Sequence, residues 1–174
     1  YIAILSDGMG HTLKSKTTSK AIVNAIVSLL KQDDRILKHI AEINDIFKVK
    51  MVEENYATLD FVSINRQTLI GEIVKCGAVH SFVIRNQEII VIDNGGIPIG
   101  VIDDVNYCSI SFKFEKNDIF IMMSDGIIEE FKEFNLSHQI KNEAKDLSFQ
   151  ELFNHLVSKM KHLDDATMIV LEIL

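Results

Sequence analysis

The 174-residue sequence predicts an α+β fold with helices segregated outside antiparallel sheets, and three observations predict it. Two apolar stripes of helical period come first; short β-branched segments parted by polar turns follow; the last third returns to helix and closes on one more apolar run. Composition agrees, since 47% hydrophobic residues with one Pro and eight Gly describe an ordered globular chain. Its length suits a single domain over residues 1–174 with a sizeable core.

Tyr1-Ile2-Ala3-Ile4-Leu5 is expected to be a buried strand that delivers Ser6 and Asp7 to a turn at Gly8-Met9-Gly10. After the Lys-, Ser- and Thr-rich stretch His11 to Ser19, Ile22, Ile26, Leu29 and Leu30 recur at helical spacing, as expected of an amphipathic helix packed on a sheet. Ile36, Ile40, Ile43 and Phe47 keep that period in a second helix from about Asp34, with Asp33 or Asp34 as its cap. From Thr58 the period changes. Thr58–Ile64, Ile70–Cys76, Ser81–Arg85 and Glu88–Ile92 form a predicted meander of antiparallel strands, with hairpin chemistry at Arg85-Asn86-Gln87-Glu88 and a strong turn at Asp93-Asn94-Gly95-Gly96. A glycine-rich loop runs from Asn94 to Gly100. Two further strands, Tyr107–Phe114 and Asp118–Met123, are joined through Glu115-Lys116-Asn117. A helical region, an irregular stretch near Phe134–Asn142 and a helix with Phe149, Leu152, Phe153, Leu156, Val157 and Met160 on one face come next, with Ser148 as its cap. The last strand is Ala166–Leu174.

The net charge of −7 disfavours a nucleic-acid or anionic-membrane surface, because both need clustered Lys and Arg. It leaves a phosphorylated substrate open, since bound divalent cations reverse the local field. Cys76 and Cys108 lack zinc-site spacing and read as small apolar strand residues, reduced in a cytosolic setting. No apolar run approaches the roughly 18 residues that cross a bilayer, and no signal peptide stands at the start. The chain opens with Tyr inside a strand, so a fragment is expected.

Two apolar runs end in the same tripeptide, Ser6-Asp7-Gly8 and Ser124-Asp125-Gly126, and a third carboxylate pair, Asp164-Asp165, precedes the strand that begins at Ala166. Three carboxylate-bearing strand ends offer a site to one cation centre. Oxygen ligands suit hard cations such as Mg²⁺ and Mn²⁺, and no His/Cys cluster argues for zinc. The histidines His39, His80, His138, His155 and His162 show no ligand spacing, and Asp60 is read as facing a polar layer or a turn.

These motifs, in this order and at these separations, resemble the metal motifs of the PPM (PP2C-type) serine/threonine phosphatases. Asp7-Gly8-Met9-Gly10, Tyr56-Ala57-Thr58-Leu59-Asp60 and Pro98-Ile99-Gly100 further resemble the stage II sporulation protein E subfamily. The resemblance implies an α-β-β-α sandwich of two mostly antiparallel sheets flanked by helices, here lacking its N-terminal strands. It implies two Mn²⁺ or Mg²⁺ ions held by Asp7, the Gly8 carbonyl, Asp125, Asp164 and Asp165, with Asp7, Asp125 and Asp164 as catalytic residues. Asp165 is the lesser member of its pair, since consecutive strand residues point to opposite faces. The implied reaction is hydrolysis of phosphoserine or phosphothreonine by a metal-activated water, with a phosphorylated anti-sigma factor antagonist of sporulation or stress signalling as substrate and a homodimer left open. Met9 stands where many relatives outside the subfamily carry His, which leaves the general acid open between water and the nearby His11, with His11 read first as a solvated loop residue. The resemblance further implies activity governed by movement of the two helices after the first motif, so Lys14 to Phe47 is expected to form a mobile regulatory pair. The resemblance also implies a cytoplasmic domain tethered to the membrane by a region outside the chain. The rival reading is a phosphatase-fold binding module with weak or no catalysis.

Overall fold

The computed structural model describes residues 1–10, 13–49, 56–93, 95–104, 106–131, 150, 151, 154, 157, 158 and 165–174. The chain divides into two compact units, Tyr1–Ala78 with Asn94–Lys113, and Val79–Asp93 with Phe114–Leu174. Among the described residues, each unit holds one four-stranded antiparallel sheet.

In the first unit, β1 (Ile2–Leu5), β2 (Leu59–Ile64), β3 (Ile70–Cys76) and β6 (Cys108–Lys113) lie in that order across the sheet. Helices α1 (Leu13–Leu30) and α2 (Ile36–Val49) carry the two predicted stripes, and they bury them against one face of this sheet. Ile22 and Ile26 of α1 and Ile36, Ile40 and Ile43 of α2 pack with Ala57, Leu59, Phe61, Val74, Cys76 and Ile99 in one core. Register explains the choice of side chains. Leu59 opposes Cys76 and Phe61 opposes Val74, so alternate residues of β2 and β3 meet the helices. The second helix starts at Ile36, two residues later than predicted, because Asp33 serves a turn ahead of it: its Oδ1 accepts the Arg35 N–H at 3.0 Å. Arg35 also pairs with that carboxylate, which holds the Asp33 carboxyl well below the usual range.

In the second unit, β5 (Glu88–Ile92), β4 (Ser81–Arg85), β7 (Ile119–Met123) and β8 (Met168–Glu172) lie side by side, and α3 (Asp125–Phe131) follows β7. Phe82, Ile84, Ile121 and Met123 pack with Ile127 of α3. The β4–β5 hairpin turns on Asn86 and Gln87, both at positive φ (49° and 67°), the two-residue geometry whose twist matches that of strands. β6 and β7 are neighbours in sequence yet pair in different sheets. The irregular stretch expected near Phe134–Asn142 and the cap at Ser148 lie outside the described residues, as do the placements of Phe149, Leu152, Phe153, Leu156 and Met160; the residues described around them, Gln150, Glu151, Asn154, Val157 and Ser158, are helical.

Candidate functional site

In the first unit, β1 ends at Leu5, and Ser6 to Gly10 then run beside the segment leading into β2. Ser6 Oγ donates to the Thr58 carbonyl at 2.6 Å, the Asp7 N–H donates to Thr58 Oγ1 at 3.0 Å, and the Thr58 N–H donates to the Asp7 carbonyl at 2.8 Å. Gly8 bridges Ala57, Ala57 bridges Ile99, and the Met9 N–H reaches the Tyr56 carbonyl at 3.0 Å. The three sequence motifs of this unit, at Asp7–Gly10, Tyr56–Asp60 and Pro98–Gly100, are therefore contiguous in space. Asp7 is half-buried.

Helix α1 closes over this turn. A Cβ on Gly8 would stand 2.0 Å from the Ser15 carbonyl oxygen, so only glycine fits under the first turn of the helix. Ser15 Oγ in turn donates to the Gly10 carbonyl at 2.5 Å, and Gly10 takes a φ of 99°.

In the second unit, β7 ends at Met123 and the chain passes directly into α3. Ser124 and Thr167 exchange two bonds, the Ser124 N–H to the Thr167 carbonyl at 2.9 Å and the Thr167 N–H to Ser124 Oγ at 3.0 Å. Asp125 is exposed at the first turn of α3, and its Oδ1 accepts the Gly126 N–H at 2.9 Å. A carboxylate at that end of a helix is favoured by the peptide dipoles. A Cβ on Gly126 would meet the Asp165 carbonyl oxygen at 2.5 Å. The Ser124-Asp125-Gly126 end and the Asp165 segment are thus neighbours.

Of the predicted ligands, Asp7 and Gly8 lie in the first unit and Asp125 and Asp165 in the second. Asp164 lies outside the described residues, as does His11. Among the described residues, no three His, Cys, Asp or Glu side chains form a group that could hold a metal ion. The donors the motifs present are carboxylate and main-chain carbonyl oxygens, which in kind fit a hard divalent cation.

Lys75 and Asn44 are among the fully buried polar residues that sequence reasoning passed over. Lys75 opposes Asp60 across β2 and β3, its Nζ 2.6 Å from Asp60 Oδ2, with side-chain exposures of 0% and 1%. Burial pushes the Lys75 ammonium below its ordinary range, while Asp60 pulls the other way. Burial, with the charge of Asp60 adding to it, pushes the neighbouring Cys76 thiol up to about 12. The signal was available only in part, since a Lys in an otherwise apolar run is visible but the Asp of the preceding run that faces it is known only from the strand register. Asn44 is the second. It sits four residues after Ile40 on the apolar stripe of α2 and is 1% exposed.

Compared with known families, the chain matches Stage II sporulation protein E (SpoIIE) over residues 1–174. It is 28% identical over 187 aligned positions to the stage II sporulation protein E of Bacillus subtilis (strain 168); the match covers 99% of this chain and 22% of that protein, so the chain spans about a fifth of its relative's length. Among solved structures it is similar to the PP2C phosphatase domain with a fragment of the regulatory domain of SpoIIE from Bacillus subtilis, with a TM-score of 0.81 and 28% identity over 98% of this chain and 53% of that one. It also shares its fold with RsbX in complex with magnesium, with a TM-score of 0.74 at 20% identity over 97% of this chain and 78% of that one. The mixed α+β architecture with two antiparallel sheets is that of the PP2C-type phosphatases.

Proposed function

The chain belongs to the stage II sporulation protein E family, and from that premise we propose that it is a protein serine/threonine phosphatase that uses divalent metal ions to hydrolyse phosphoserine or phosphothreonine. The observation that carries this reading is the pair of Ser-Asp-Gly strand ends, each with its glycine pressed against another backbone oxygen. Asp7, the Gly8 carbonyl, Asp125, Asp164 and Asp165 would hold two Mn²⁺ or Mg²⁺ ions; the magnesium in the RsbX complex supports that choice. Bound there, such ions supply Lewis acidity that makes water a nucleophile at neutral pH and neutralises phosphoryl oxygens.

The chain's own groups do the rest. The locks from Ser6 to Thr58 and from Ser124 to Thr167 fix where the two strands end, and so where the carboxylates stand. Met9 offers no proton, so the leaving serine oxygen takes its proton from water or from His11. A phosphorylated anti-sigma factor antagonist is the substrate this reading favours, in the cytoplasm. Among the described residues no helix is long and apolar enough to cross a membrane.

The test is dephosphorylation of a phosphoserine protein in excess Mn²⁺ and in EDTA, beside Asp125→Asn. Activity is expected only with metal and is expected to fall in the variant by more than the roughly 10- to 100-fold that loss of an outer-shell partner of a ligand costs. Metal-independent turnover, or an Asp125→Asn protein as active as the wild type, overturns the reading.

A further inference from the structure

We infer that Asn44 of α2 is a positioning residue for the Asp7–Gly8 turn, acting through the loop that contains Gly100 and through Ala57. The inference rests on the reading above, in which Asp7 and the Gly8 carbonyl hold metal.

A buried amide on an apolar helix face is costly unless its polar atoms are matched. Those of Asn44 are matched by main chain from a single loop. Nδ2 donates to the Ile102 carbonyl at 3.1 Å and to the Asp103 carbonyl at 3.3 Å, and Oδ1 accepts the Gly100 N–H at 2.9 Å. Lys48, one turn further along α2, pairs with Asp103. The loop is therefore fixed to α2 at Gly100, Ile102 and Asp103.

The same loop is hydrogen-bonded on its other side to the segment beside Asp7. The Ile99 N–H donates to the Ala57 carbonyl at 2.9 Å, and the Ala57 N–H reaches the Ile99 carbonyl at 3.5 Å. Ala57 bridges Gly8, and its neighbours Tyr56 and Thr58 bond Met9 and Asp7. Gly8, Ala57 and Ile99 thus form a three-segment ribbon, with Asn44 holding its far edge. The near edge lies under α1 at Ser15. Gly8 cannot shift toward α1, and Asn44 stops the ribbon from moving as a unit away from it. That holds the backbone of Asp7 and Gly8, and with it the direction of the Gly8 carbonyl. Groups that orient metal ligands in this indirect way typically govern affinity by about 10- to 100-fold.

The experiment measures Mn²⁺ binding directly, from the electron paramagnetic resonance signal of free Mn²⁺, for the wild-type chain, Asn44→Ala and Asn44→Asp. Ile43→Val, a truncation in the same helix and core, serves as the control for loss of stability. Backbone amide exchange at Met9 and Thr58 is followed without metal. Asn44→Ala is expected to weaken Mn²⁺ binding about tenfold and to speed exchange at Met9 and Thr58. Asn44→Asp keeps the acceptor for Gly100 but turns a carboxylate on two carbonyls, and it is expected to weaken Mn²⁺ binding at least as much. Ile43→Val is expected to bind Mn²⁺ within about twofold of wild type. If Asn44→Ala loses stability but binds Mn²⁺ like the wild type, Asn44 is structural only and the inference is overturned. If the wild-type chain itself takes up no Mn²⁺, the metal reading fails, and the inference fails with it for that separate reason.

Discussion

The tripeptide Ser-Asp-Gly ends a strand in each unit, and the two ends are built differently. At Ser6-Asp7-Gly8 the chain stays extended beside Tyr56–Thr58, and the helix that covers it begins only at Leu13. At Ser124-Asp125-Gly126 the helix begins at the Asp itself. The serine roles are opposite, as Ser6 donates its hydroxyl to a carbonyl whereas Ser124 accepts from an N–H. What is shared is the glycine, which in each case faces a backbone oxygen too close for a Cβ, that of Ser15 or that of Asp165. The common device is therefore the close approach of a second chain segment to the Asp, and the local conformation around it is free to vary. The units also differ in their ion pairs. Asp60–Lys75 is sealed from solvent, whereas Arg85, which pairs with Asp118 at 2.7 Å, keeps 22% exposure.

The largest effect is expected from that last contrast. Lys75→Met leaves a buried carboxylate without its cation, and is expected to destabilise the chain by about 3–5 kcal/mol in urea unfolding. Arg85→Met is expected to cost less, about 1–3 kcal/mol, because Asp118 still accepts the Glu115 N–H at 2.8 Å. The double variant Asp60→Leu with Lys75→Met is expected to recover most of the first loss, since an apolar pair of similar volume replaces the charges. Equal costs for the two single variants would show that burial does not separate the units.

Next in size are the glycines. Gly8→Ala sets a methyl against the backbone of α1, and Gly126→Ala sets one against the backbone of Asp165. Neither neighbour is the end of a flexible side chain, so both variants are expected to lose about 1–3 kcal/mol. Gly8→Ala is expected to be the worse, at 2.0 Å against 2.5 Å. If Gly126→Ala proves the more damaging, the Asp165 segment is held more rigidly than the first turn of α1.

Much of this arrangement could be read from residues alone. Ile70–Cys76, Ser81–Arg85 and Glu88–Ile92 are strands with the bounds their patterns predict, and Asn86 and Gln87 mark the turn between the last two, but the predicted meander breaks between Cys76 and Ser81, where the strands join different sheets. The stripes of α1 and α2 announced their buried faces through Ile22, Ile26, Ile36, Ile40 and Ile43. Strand order was not legible. Nothing local to Cys108–Lys113 says that it pairs with β3 while Ile119–Met123 pairs with β4, since both choices depend on partners more than thirty residues away. Lys75 and Asn44 were missed for a related reason. Each is polar at an apolar position, and only the opposing chain, Asp60 or the Gly100–Asp103 loop, makes that position tolerable. The shared role of Gly8 and Gly126 was half legible: their lack of a Cβ was plain, but the backbone each one faces was not.

The smallest expected effect separates the two serines. In Ser6→Ala the Thr58 carbonyl loses a short donor from a half-buried serine, and in Ser124→Ala the Thr167 N–H loses its acceptor on a serine that is buried. An unmatched N–H is ordinarily costlier than an under-matched carbonyl, and burial works in the same direction here, because water reaches the place of Ser6 more readily than that of Ser124. Ser124→Ala is accordingly expected to cost about 1 kcal/mol and Ser6→Ala about half that, read as a shift of the urea midpoint at constant slope. The reverse order would mean that water takes the place of Ser124 Oγ at Thr167, which is itself an exposed residue. The first strand end would then be the more rigid of the two, and Asp7 rather than Asp125 the better fixed carboxylate.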